Sequence, residues 1–140
     1  MAEESTTPDL TVLARRFSAA ATARDLDAVM GFFTPDAVFD TSPLGLGVFE
    51  GREAIRRLFE DWEAAYAEYK LEFEEGCDLG NGVAFAVAVR RARPRGGTGW
   101  VQFRSGIVSI WFDGLVERAT NYADIDEARA AAERLAEERG

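Results

Sequence analysis

From residue 10 onward the apolar positions fall at helical spacing. Leu10, Leu13, Phe17, Ala20 and Ala21 would lie on one stripe, which predicts a helix with one buried face. Thr7-Pro8-Asp9 supplies its start: Thr7 as N-cap, Pro8 in the first turn and Asp9 at the positive end of the dipole. Asp25 is placed to cap a second short helix over residues 26–33, stopped by Thr34-Pro35-Asp36. Residues 37–40 then read as a short strand, 41–47 as a turn-rich loop and 48–50 as another short strand. Gly51 opens a third helix whose stripe is Ile55, Leu58, Phe59, Trp62 and Tyr66.

After residue 69 the period changes to strict alternation. Tyr69, Leu71 and Phe73 alternate with Lys70, Glu72 and Glu74. Gly80-Asn81-Gly82 marks a turn, and residues 83–89 are apolar on both faces, as in a central strand. Residues 93–97 form the next turn. A long strand over 100–112 follows, then the hairpin dipeptide Asp113-Gly114, then a last strand over 115–123. Asp124 and Glu127 cap a final helix with a thin stripe of Ile125, Ala128, Ala132 and Leu135, expected to dock weakly or fray. Helices first and long consecutive strands afterwards give an α+β class. A twisted antiparallel sheet would wrap the N-terminal helices as a cone with an internal pocket. The expected division is a flexible tail at 1–7, one domain at 8–124 and a C-terminal helix at 125–140.

Composition removes several functions. The 140 residues contain no His, which excludes His-based triads, His general bases and His metal ligands. No cofactor is indicated. The lone Cys77 has no internal disulfide partner, the first residues do not resemble a signal peptide, and no apolar run is long enough to span a bilayer. A cytoplasmic protein is expected. The formal net charge of −9 repels nucleic-acid phosphates and anionic membranes.

Three segments, RDLDAVMGFFTPDAVFD, FEGREAIRRLFEDW and WFDGLVERATNYADIDEA, together resemble the nuclear-transport-factor-2-like superfamily in order and spacing. The nearest likeness is to its SnoaL-like and ketosteroid-isomerase-like branch, over residues 10 to about 128. The resemblance implies the cone fold but no single chemistry, since the branch includes isomerases, epoxide hydrolases and polyketide cyclases. Its isomerase residues fall on Phe17, Thr41 and Val108, none of them the acidic or phenolic group that chemistry uses. The epoxide-hydrolase carboxylate of the NYAD-like motif falls on Asn121, and residues 83–89 supply no second acid. Neither catalytic set is present.

Asp40 is the candidate catalytic residue. It ends an apolar strand before a Gly/Pro loop, where burial would raise its pKa and make it a base; the alternative is a turn-initiating carboxylate. The resembled register turns Arg104 toward the cavity with Gly106, Val108 and Ile110, as an anchor for a ligand oxygen. Asn121 shares a face with Ala119 and Ala123 and would orient a ligand or water. Trp62, Tyr66 and Phe17 complete the expected binding set, with core packing as the competing role of these aromatics. Arg90, Arg91, Arg93 and Arg95 read as a solvated hairpin tip. Val101, Phe103, Ile107 and Trp111 would form an open sheet face, which a homodimer would bury.

Two functions follow. One is binding of a small apolar, oxygen-bearing molecule in a cavity of about 300 Å³ or more, with acid/base isomerase, cyclase or hydrolase activity as an extension. The other is a non-catalytic dimerisation or interaction module with a filled cavity.

Overall fold

The computed structural model describes residues 10–140; the expected helix start at Thr7, Pro8 and Asp9 lies outside them. Four helices and six strands follow in the order α1 (Leu10–Thr22), α2 (Leu26–Met30), β1 (Phe33–Asp40), β2 (Val48–Glu50), α3 (Arg52–Ala65), β3 (Tyr66–Gly80), β4 (Val83–Pro94), β5 (Val101–Phe112), β6 (Leu115–Tyr122) and α4 (Ile125–Arg139). The strands form one mixed sheet in the order β2-β1-β6-β5-β4-β3. Every neighbouring pair is antiparallel except β1 and β6, which run parallel.

Local chemistry sets most boundaries. The Asp25 carboxylate accepts the Ala28 N–H at 3.2 Å and caps α2. Gly51, at φ 88°, turns the chain from β2 into α3. Asn81 and Asp113 take the left-handed conformation in the two hairpin turns that the sequence marks. The second helix stops at Met30, not Phe33, and β1 begins at Phe33, not Ala37. The sheet captures this segment early, because Val116 N–H donates to the Phe32 carbonyl at 2.7 Å. Pro35 is accommodated where the β1–β6 register shifts between Phe33 and Val38.

Helices pack on both faces of the sheet. On the concave face, α1 and α3 bury Phe33, Phe39, Ile55, Phe59, Leu71 and Ala88 in one core. On the convex face, α4 covers a second core containing Val83, Phe85, Val87 and Val108. The thin stripe of α4 is what lets it lie close. Ala128 and Ala132 are fully buried, and a Cβ on Gly106 would stand 2.5 Å from the Ala128 Cβ. Asn81 Nδ2 donates to the Ala136 carbonyl at 2.6 Å and Arg139 Nε donates to the Asn81 carbonyl at 3.0 Å, fixing the end of α4 to the β3–β4 turn. The expectation of a weakly docked or frayed C-terminal helix is therefore wrong, because small size here means close fit.

The face of β5 expected to stay open is also reassigned. Ile107 and Trp111 pack in the concave core, and the alternate residues Gly106 and Val108 lie beneath α4. Only Val101 and Phe103 of the proposed dimer face are exposed. No helix among the described residues is long and apolar enough to cross a membrane.

Gly106→Ala should destabilise the protein by about 1–3 kcal/mol by forcing α4 off the sheet. Gly76→Ala, whose new Cβ would meet nothing within 4 Å, should change stability by under about 0.5 kcal/mol. Urea denaturation of the two variants measures the difference; equal loss in both would show that the α4 approach is not the constraint.

Candidate functional site

The concave face of β4 carries Ala84, Ala86, Ala88 and Arg90, in register with Ser109, Ile107, Ser105 and Phe103 of β5. Its convex positions are Val83, Phe85, Val87 and Val89, all buried. The bulk of this strand thus lies on one side and its small side chains on the other. With α1 and α3 held above by aromatic rings, the alanines leave a cavity of about 250 Å³, open at one side. Phe17, Phe33, Phe39, Phe59, Phe73 and Trp111 wall it, and Ala84, Ala86 and Ala119 give it depth. Phe17 is the hub of the wall, meeting Phe32, Phe33 and Phe59 edge-on at 5.5, 5.9 and 6.3 Å between ring centroids. The cavity's polar lining comprises the exposed Arg15, Glu74, Glu75, Cys77 and Asp78 and the less exposed Ser109 and Arg90. Ser109 Oγ accepts the Trp111 indole N–H at 2.7 Å.

Arg90 is only 4% exposed. Its Nη1 donates to Ser105 Oγ at 3.0 Å, while its Nε has no partner. The guanidinium carbon lies 5.5 Å from the centre of the Trp62 ring and 5.8 Å from that of Phe103. Sequence reasoning placed Arg90 with Arg91, Arg93 and Arg95 at an exposed tip. Arg91 and Arg95 are indeed exposed, but Arg90 is drawn inside because it continues the alanine face of β4. Counting in twos from Ala84 was the signal that would have found it.

The expected site residues separate. Phe17 lines the cavity. Trp62 sits behind it, stacked edge-on against Phe59 at 5.3 Å and against the Arg90 guanidinium. Tyr66 has left the helix and begins β3, where it stacks on Tyr69 with ring centroids 6.4 Å apart. Asn121 does face the concave side, opposite Ile107. It is 1% exposed with no partner for its Nδ2, but the cavity lining stops at Ala119. Arg104 points from the convex face, where Nε and Nη2 both donate to Glu74 Oε1, at 3.0 and 2.7 Å. Its face was inverted: the cavity takes Ile107, Ser109 and Trp111, so Arg104 and Val108 point away.

Asp40 also lies on the convex side. Phe39, paired with Ala119, takes the concave position, and Asp40 is the next residue. Its Oδ1 accepts the Ser42 N–H at 2.9 Å and the Ser42 hydroxyl at 2.6 Å, and its Oδ2 accepts Arg118 Nη2 at 2.6 Å. Burial alone would raise its pKa, but the Ser42 hydrogen bonds and the Arg118 charge together outweigh burial and hold the carboxyl below its ordinary value of 3.8. The expected raised pKa is thus reversed. Asp40 closes a turn and joins β1 to β6. No group of three or more Cys, Asp or Glu side chains able to hold a metal occurs among the described residues.

Because the folded carboxyl is the stronger acid, the unfolded chain takes up this proton first as pH falls. Asp40 therefore stabilises the fold above about pH 3.8, and that stabilisation is lost as pH drops from there through the folded pKa. Asp40→Asn should cost about 1–2 kcal/mol at pH 7 and lose less than the wild type on going to pH 3. Urea titrations of both proteins at the two pH values test this; a parallel acid loss in the variant would assign the effect to other carboxylates.

The fold and its cavity can be set beside known proteins. No curated relative matches the sequence. Among solved structures, a hypothetical protein with a ketosteroid-isomerase-like fold from Catenulispora acidiphila, in complex with trimethylamine, superposes with a TM-score of 0.72 at 16% identity, covering 91% of this chain and 94% of its own. An epoxide hydrolase of the LEH-like type from M. tuberculosis gives 0.68 at 16% identity, covering 88% of each chain. A second Mycobacterium tuberculosis protein, in complex with estradiol-17β-hemisuccinate, gives 0.68 at 19% identity, covering 83% of this chain and 94% of its own. At these identities the likeness is one of fold. The family model described as a SnoaL-like domain matches residues 14–119. The chain, with its cone of mixed sheet closed by α1 and α3, belongs to the SnoaL-like domain family.

Proposed function

We propose that this protein binds a small, mostly apolar, oxygen-bearing molecule in the concave cavity. The observation that carries this reading is the lining itself: aromatic walls around an alanine floor, with about 250 Å³ left open. Packed cores rarely keep voids of that size, and apolar space with a few polar groups suits small-molecule binding. The volume is slightly under the expected 300 Å³, which favours a substituted benzene or a fused bicycle over a steroid. Ser109 has its oxygen engaged by Trp111 and its hydroxyl proton available to a ligand oxygen.

Binding without turnover is the form we favour. The residue expected to move a proton, Asp40, is on the opposite face and tied to Ser42 and Arg118. Of the carboxylates that line the cavity, Glu74 and Glu75 are paired with Arg104 and Arg129, and Asp78 accepts the Gly80 N–H at 2.9 Å. An isomerase, cyclase or hydrolase cycle would need an acid or base beside the ligand.

The test is a thermal-shift and calorimetric titration with 2-naphthol, a neutral probe. Saturating ligand should raise the melting temperature by a few degrees. Ala86→Leu, which fills the floor, should weaken binding at least about tenfold, and Asp40→Asn should leave it unchanged. An unshifted wild type would favour the interaction-module reading.

A further inference from the structure

We infer that Arg90 makes this cavity selective for a carboxylate: the ligand is a small aromatic or alicyclic monoacid in its anionic form. The inference rests on the reading of the cavity as a ligand site and adds the charge of the ligand.

Arg90 is a buried permanent cation. A guanidinium cannot shed its proton to escape burial, so the usual solution is a carboxylate beside it. Among the described residues Arg90 has no such partner. Its neutral contact, Ser105 Oγ, occupies Nη1, and Nε is left bare. The Nε–Nη2 edge is the fork that arginine uses to grip an oxygen. Elsewhere in this chain the same edge holds Glu74 in Arg104 and the Phe33 carbonyl in Arg52. In Arg90 that edge belongs to a residue lining the cavity. Trp62 and Phe103 lie near the guanidinium. Their rings offset part of the burial cost but cannot accept in-plane hydrogen bonds.

The energetic consequence is specific. The folded protein has already desolvated Arg90, so an incoming carboxylate meets a cation with little water left to displace. The ligand loses its own hydration and gains a charge-assisted, bidentate pair in a low-dielectric site. A neutral amide of the same shape loses less water but gains a weaker bond. The net charge of −9 repels any anion at long range. Salt screens that repulsion but barely touches the buried pair. Carboxylate affinity should therefore hold or rise with ionic strength, opposite to capture by Arg15, the exposed arginine that lines the same cavity.

The experiment compares 2-naphthoate with 2-naphthamide by calorimetry at pH 7, in about 50 and about 300 mM NaCl. The wild type should prefer the carboxylate at least about tenfold, with no loss at the higher salt. Arg90→Gln should abolish the preference while still binding the amide, and Arg93→Gln, which like its partner Glu68 lies outside the lining, should retain it. The native chain gives a second readout that needs no variant: the Arg90 Nε–Hε resonance should shift on titration with 2-naphthoate and not with 2-naphthamide. If both compounds bind the wild type equally, or the Arg90 resonance stays fixed, carboxylate selectivity is overturned and the cavity reading stands. If neither compound binds, both are overturned.

Discussion

The division of β4 into a small face and a large face is the constraint on which the rest of the molecule depends. Val83, Phe85, Val87 and Val89 anchor the strand on the convex side, and three alanines followed by Arg90 face the helices. An all-large strand would close the cone with side chains. An all-small strand would leave the convex core too thin to hold α4. The unequal faces give rigid support on one side and open volume on the other, so the cavity is a property of a central strand and not of a mobile loop.

The convex face repeats the device at closer range. Gly106 and the alanines of α4 bring backbone to backbone, and Arg129 covers the seam by lying 4.6 Å over the Phe85 ring while pairing with Glu75 at 2.8 Å. Because Phe85 belongs to β4, α4 buttresses the back of the strand that floors the cavity. Three buried polar atoms on the concave side, Tyr69 Oη, Arg90 Nε and Asn121 Nδ2, lack protein partners. Each can be satisfied by a water or a ligand atom.

Much of the fold could be read from the sequence because its signals are local. Asp25 and Asp124 cap helices as their positions require, and the Gly80-Asn81-Gly82 and Asp113-Gly114 turns fix both hairpins. The site was harder to read because it depends on which way a strand faces. β5 carries large apolar residues on both sides, Ile107 and Trp111 against Val108 and Ile110, so its pattern does not say which side meets the cavity. The inward placement of Arg104 therefore rested on the resembled register alone, and that register turned the wrong face of β5 to the cavity. Asp40, the expected acid/base group, faces away from the cavity because its neighbour Phe39 takes the inward position. Tyr66 fits the end of a helical stripe and the start of a strand equally well, and the sheet claimed it. Arg90 was hidden by the arginines around it, although its parity with Ala84, Ala86 and Ala88 was present in the sequence.

The parallel pairing of β1 with β6 has a consequence for how the chain comes together. The last strand, held through Asp40 and Arg118 across a sequence separation of 78 residues, is the only neighbour β1 has besides the short β2. During synthesis the N-terminal third emerges with no sheet to join and must wait for the two C-terminal hairpins. Its phenylalanines remain uncovered through that interval, and closing so long a loop late makes assembly slow relative to a helical protein of equal size. A nascent chain halted before residue 115 would therefore hold β1 against the three-residue β2 alone, without the strand that joins it to the rest of the sheet.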